Sequence, residues 1–168
     1  MRTAMTFPDI ISWTAAEIAA ATEGVWRNSG ARNADGTELT VSSVCTDSRK
    51  ISPGCLFVAL TGVMFDGNDY VEMALEAGAA GCLCARVPDS LRPDKFYIQV
   101  PDSALALGRL AAAYRSEFQI PVIQITGSVG KTTTKEMIAS VLEMKLRILK
   151  TEGTEGEARA VFEPYGGE

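Results

Sequence analysis

Residues 123–134 read Ile-Gln-Ile-Thr-Gly-Ser-Val-Gly-Lys-Thr-Thr-Thr. A short apolar run meets two glycines, a lysine and a row of threonines. The run reads as a strand, and the segment from Lys131 reads as a helix with Ile138, Val141 and Leu142 on an apolar stripe. Between them lies a candidate phosphate cradle formed by Gly127, Ser128, Val129, Gly130, Lys131, Thr132 and Thr133. Gly127 and Gly130 let the backbone bend and turn N–H groups toward an anion. Lys131 puts a positive charge beside the β- and γ-phosphates, and Thr132 offers a hydroxyl to Mg²⁺. The positive end of the following helix adds to the same site. The common form of this loop would have its first glycine at position 125, where Ile125 stands; here the glycine falls at 127. The alternative is a plain glycine turn with Lys131 as a solvated charge. Thr133 and Thr134 carry less weight, since either can serve only the first helical turn.

Working outward, the chain alternates strand and helix. Residues 12–23 predict a helix, with Thr14 and Glu17 at capping-box spacing and Gly24 as its stop. Residues 28–38 form a polar turn region, 39–44 alternate like a strand, and 54–62 form an apolar run bounded by glycines. A helix ending near Gly78, short strands at 81–86 and 95–100, and a helix opened by Pro101, Asp102 and Ser103 follow. Pro121 marks the join to a second α/β run, which continues through the 131–144 helix to a strand at 146–152. From Gly153 the chain is rich in glycine and glutamate without a period and reads as a loose tail. The fold class is therefore α/β with a partly parallel sheet. Its domains are expected at 1–117 and 118–168, the second being the first βαβ part of a phosphate-loop domain, off pattern from about 154.

Composition narrows the functions. The 168 residues carry a net charge of −5 with both signs interspersed, which argues against a nucleic-acid footprint. No apolar run is long enough for a membrane span, and the N-terminus lacks the apolar core of a signal peptide, so a cytoplasmic chain is expected. There is no histidine, which removes Ser–His and Cys–His nucleophile schemes. Cys45, Cys55, Cys82 and Cys84 lack zinc or redox spacing and read as small apolar fillers.

Residues 125–138, ITGSVGKTTTKEMI, resemble the ATP-binding loop of the Mur ligase family. The continuation Lys135-Glu136-Met137-Ile138 points to the type that joins D-alanyl-D-alanine to a UDP-N-acetylmuramoyl tripeptide, and the shifted glycine is that family's habit. Residues 46–81 are independently similar to the N-terminal domain that holds the uridine nucleotide of the substrate in this family. The matching pieces are Asp47-Ser48-Arg49, Pro53-Gly54, Leu56-Phe57-Val58-Ala59, Gly62, Asp66-Gly67 and Gly78-Ala79. The resemblance covers about 10–153.

It implies binding of UDP-N-acetylmuramoyl peptide at Asp47, Ser48, Arg49, Gly62, Asp66 and Gly67. It also implies ATP and Mg²⁺ at the 127–133 loop, with Lys131 stabilising transferred charge and Thr132 at the metal. The implied reaction activates a carboxylate as an acyl phosphate, from which the amine of D-alanyl-D-alanine displaces phosphate. On their own chemistry, Asp47, Ser48 and Arg49 can read a uracil edge or a pyrophosphate, or can simply be an Asp–Arg pair that fixes a loop. Gly62 and Asp66-Gly67 read equally as ligand-facing loops or as turns, and Asn68 stands where the family often has histidine. The chain is expected to be a monomer and an N-terminal part of such a ligase, inactive by itself. Open alternatives are a module that binds UDP-muramyl peptide without chemistry, another amino-acid ligase of the same family, and an unrelated phosphate-loop kinase or GTPase.

Overall fold

The computed structural model describes residues 12–33, 35–41, 43–62, 64–117, 121–150 and 158–164, the last for its backbone. The expectations for 1–11 and for 151–157 and 165–168 lie outside the described residues. The chain divides into two compact units, Met1–Ser116 and Glu117–Glu168. No helix among the described residues is long and apolar enough to cross a membrane.

In chain order, the first unit contains β1 (Trp13–Thr14), α1 (Ala15–Thr22), β2 (Val25–Arg27), β3 (Thr40–Val41) and β4 (Val44–Cys45). A 3-10 turn (Ser48–Lys50), β5 (Leu56–Val58), a second 3-10 turn (Gly67–Tyr70) and α2 (Val71–Glu76) follow. β6 (Gly81–Cys84), β7 (Phe96–Gln99) and α3 (Ser103–Ser116) complete it. The main sheet has the order β2-β7-β6-β5-β4. β4 to β7 run parallel, and β2 joins the β7 edge antiparallel.

Strand alternation distributes the core over both faces. Leu56 and Val58, Leu83, and Phe96 and Ile98 pack with Ile18 of α1 and with Ala106 and Leu110 of α3. Phe57, Cys82, Cys84 and Tyr97 pack on the other face with Val71, Ala74 and Leu75 of α2. Burial of each large apolar side chain stabilises by about 1.5–3 kcal/mol. Cys55, Cys82 and Cys84 are free, buried fillers, and Cys82 and Cys84 share a face as expected of a strand. Gly81 is required in β6 because a Cβ there would lie 2.6 Å from the Phe96 ring.

The start of α1 follows the sequence signal. Glu17 N–H donates to Thr14 Oγ1 at 3.3 Å, and Thr14 N–H donates to Glu17 Oε2 at 2.8 Å. Thr14 N–H, with the Thr14 hydroxyl donating to the same Oε2 at 2.9 Å, holds the Glu17 carboxyl below its usual range. The helix was expected from residue 12 but begins at Ala15; Trp13–Thr14 instead form β1 against β3. The stop also differs. Glu23, not Gly24, takes the left-handed conformation, and the N–H groups of Glu23 and Gly24 reach Ala20 O and Ala19 O. This is a Schellman closure with glutamate at the strained position. Gly24 is needed for close packing, since its Cβ would fall 2.5 Å from Ile98 Cγ2. The expected strand at 39–44 divides into β3 and β4, which join different sheets. Asp102 caps α3 by accepting from Ala104 N–H at 2.8 Å and Leu105 N–H at 2.9 Å.

The second unit comprises β8 (Val122–Ile125), α4 (Lys131–Leu142), β9 (Leu146–Lys150) and β10 (Ala158–Pro164). Here the expected loose tail is corrected: residues 158–164 form a strand that lies between β8 and β9 and pairs antiparallel with both. Backbone pairing on both edges holds this segment, which its composition did not signal. The stripe expected on α4 is also narrower, since Val141 is 65% exposed while Ala139 is buried. Lys150 Nζ, at the end of β9, meets Glu136 Oε2 of α4 at 2.6 Å.

Candidate functional site

β4, β5 and β6 are parallel neighbours, so the segments leaving their C-terminal ends emerge along one edge of the sheet. That edge is where open α/β sheets place ligands. Asp47, Ser48 and Arg49 follow β4; Gly62, Asp66 and Gly67 lie in the loop after β5; Ala85 and Arg86 follow β6.

Asp47 caps the first 3-10 turn, its Oδ1 accepting from Arg49 N–H at 3.1 Å. Arg49 then doubles back on it, with Nε at 2.8 Å from Oδ1 and Nη2 at 2.9 Å from Oδ2. The two-pronged bond from the Arg49 side chain, aided by its backbone N–H, holds the Asp47 carboxyl down at about 2. The loop-fixing Asp–Arg pair is therefore present. Arg49 Nη1 and the half-buried Ser48 remain at the rim.

The loop after β5 closes on itself. Gly62 N–H donates to Phe65 O at 2.8 Å, and Gly67 N–H donates to Leu60 O at 2.8 Å. Gly67 is a close-approach position, because a Cβ would lie 2.6 Å from Leu60 O and 2.7 Å from Leu60 N. Gly62 is not, since its Cβ would meet Phe65 O at 3.4 Å. Asp66 Oδ1 accepts from the Asn68 side-chain amide at 2.6 Å and from Asn68 N–H at 3.0 Å, which hold its carboxyl below the usual range. Asn68 Oδ1 in turn accepts from Ala85 N–H at 2.9 Å and Arg86 N–H at 3.0 Å. Asn68 thus pins the β5 loop to the end of β6. Arg86 Nη2 bonds Asp66 Oδ2 at 2.8 Å and Asp69 Oδ1 at 2.7 Å. Neither the pinning role of Asn68 nor Arg86 was singled out from sequence. A charged residue directly after the apolar run 81–84 was the available signal for Arg86.

In the second unit, β8 leads into an exposed loop and α4 begins at Lys131. Gly127 (φ 146°) and Gly130 (φ 82°) take backbone conformations that favour glycine. No side-chain cap hydrogen bond closes the start of α4 at Gly130, and a helix start of this kind is one at which an anion can serve as the partner. Lys131 Nζ curls back to donate to Gly127 O at 2.6 Å. The ammonium therefore lies over the loop. Ser128 and Val129 form the exposed crown of the loop, Thr132 is half-buried in the first turn, and Thr133 is exposed. Among the described residues no group of three or more Asp, Glu, His or Cys side chains is placed to hold a metal. Lys135, one turn on, is buried and pairs with Glu136 Oε1 at 3.2 Å.

Comparison with known proteins gives two family matches: the Mur ligase family, catalytic domain, over residues 40–115, and the Mur ligase middle domain over 125–164. The second match runs through β10, beyond 153 where the resemblance was expected to end. The UDP-N-acetylmuramoyl-tripeptide–D-alanyl-D-alanine ligase of Escherichia coli is 42% identical over 118 residues, covering 70% of this chain and 25% of that protein. A crystal structure of MurF from Acinetobacter baumannii matches with a TM-score of 0.69 at 34% identity, over 83% of this chain and 29% of that one. MurF ligase from Thermotoga maritima in complex with ADP matches with a TM-score of 0.61 at 34% identity, over 68% of this chain and 26% of that one. The chain spans about a quarter of the length of the curated relatives it matches.

Proposed function

The chain belongs to the Mur ligase family, and on that premise we propose that it works in ATP-dependent ligation during peptidoglycan precursor synthesis. The first unit holds the UDP portion of a UDP-N-acetylmuramoyl peptide, and the second holds ATP. The relatives' names give the reaction as addition of D-alanyl-D-alanine to UDP-N-acetylmuramoyl tripeptide.

The observation that carries this reading is the 126–133 segment: two glycines at positive φ, an uncapped helix start, and Lys131 folded over the loop. These groups fit the phosphates of ATP, and the Thermotoga relative is titled as an ADP complex. Mg²⁺ would be taken by the Thr132 hydroxyl, with phosphate oxygens and water completing its shell, as suits a cation that keeps few protein ligands. When bound, ATP supplies the phosphoryl group that activates a carboxylate. Lys131 offsets charge on that group, and the backbone of Gly127–Gly130 and the first turn of α4 orient it.

In the first unit, Asp47, Asp66 and Gly67 shape the loops. Ser48, Arg49 and the Gly62 backbone face a uridine nucleotide at the strand ends. Equilibrium dialysis of the chain with ATP and Mg²⁺ tests the reading. Binding is expected in the parent and lost in Lys131→Ala; equal ATP affinity in the two would contradict it.

A further inference from the structure

Two arginines stand on the strand-end rim of the first unit, and they are not equivalent. Arg49 commits both Nε and Nη2 to the single carboxylate of Asp47, closing that side of its fork. Arg86 is anchored through Nη2 alone, shared between Asp66 and Asp69. Its Nε and Nη1 have no hydrogen-bond partner among the described residues, and its side chain is 64% exposed.

The base of the residue is fixed as well. Arg86 N–H and Ala85 N–H both donate to Asn68 Oδ1, which belongs to the same loop as Asp66. A guanidinium fixed at its backbone and at one nitrogen has already lost much of its rotamer freedom. It can bind an anion through its two remaining donors with little further ordering. Its position after β6, beside the loops leaving β4 and β5, puts those donors on the rim proposed for the uridine nucleotide.

We propose that Arg86 is an anion-binding residue of this rim, taking the phosphate groups of the UDP-linked ligand through Nε and Nη1. This rests on the reading of the first unit given above. Asp69, which is exposed and bonds Arg86 Nη2, competes with the ligand for the same charge.

Calorimetric titration of the whole chain with UDP and with uridine tests the assignment. Arg86→Gln should weaken UDP roughly ten- to a hundred-fold, the loss of a charge-assisted hydrogen bond, and leave uridine unchanged. Arg86→Lys should recover part of the loss. Asp69→Asn should tighten UDP by up to about five-fold, since an exposed competing pair is removed. UDP affinity unchanged in Arg86→Gln would overturn the inference while leaving the uridine-nucleotide reading intact. Equal weakening of UDP and uridine would make Arg86 structural and overturn it too. Should Arg86→Gln fail to fold, a failure of Asp69→Asn to tighten UDP decides against it. A parent chain that binds neither UDP nor uridine removes the underlying reading and this inference together.

Discussion

Arg49 grips Asp47 with two parallel bonds, Nε to Oδ1 at 2.8 Å and Nη2 to Oδ2 at 2.9 Å, across one residue of chain. The pair turns a stretch that reads as a ligand-facing triplet into a preset loop. Ser48 lies between the two partners, and its place at the rim depends on them.

A pH dependence follows from that pair. The Asp47 carboxyl is lowered from an ordinary value of 3.8 to about 2, chiefly by the Arg49 side chain. A depressed folded-state value contributes stability that is fully present above the unfolded value and is lost as pH falls toward the folded one. The 47–50 turn should therefore stay closed at neutral pH and loosen between about pH 4 and pH 2. Carboxyl NMR of Asp47 should give a midpoint near 2 in the parent and a higher one in Arg49→Ala. A parent midpoint at the ordinary aspartate value would show the pair absent in solution.

Gly62 and Gly67 separate by substitution. Ala at 67 drives a Cβ to 2.6 Å from the Leu60 carbonyl oxygen, a backbone atom that cannot step aside. Gly67→Ala should cost about 1–3 kcal/mol, as overpacking does. Gly62→Ala meets its nearest atom at 3.4 Å and should leave stability nearly unchanged. Denaturant unfolding of both variants checks this; equal losses would mean that the loop closes differently.

The fate of residues 158–168 bears on the second unit. Because β10 pairs with β8 and β9 on its two sides, its removal strips both of their partner. Deleting 158–168 should speed amide hydrogen exchange in 122–125 and 146–150 and leave β5, β6 and β7 protected. Unchanged exchange in 122–125 would show β10 to be dispensable.

Local signals were legible and long-range ones were not. The Thr14–Glu17 capping box, the glycine-bounded β5 and the strand–loop–helix at 122–142 are each written within one turn or one strand. The Asn68 bridge joins residues 17 and 18 positions apart, and only the sheet brings them together. β10 lacks an alternating pattern because its partners on both edges, not its composition, define it as a strand. The Gly24 stop failed for a related reason: the sequence shows a glycine after a helix but not Ile98 pressing against it. Among the candidate site residues, the strand, glycine turn and helix start around 127–133 were legible as local structure. The loop-shaping duties of Asp47, Asp66 and Gly67 needed their hydrogen-bond partners to be seen.

The central claim is that the chain carries two separate ligand loops, one for a uridine nucleotide and one for ATP. Parallel calorimetric titrations of the parent, Arg49→Ala and Lys131→Ala with UDP-N-acetylglucosamine and with ATP–Mg²⁺ test it most directly. Arg49→Ala should weaken the UDP-sugar roughly ten- to a hundred-fold and leave ATP unchanged, while Lys131→Ala should do the reverse. Loss of UDP-sugar binding in Lys131→Ala, with Arg49→Ala binding it like the parent, would contradict the account.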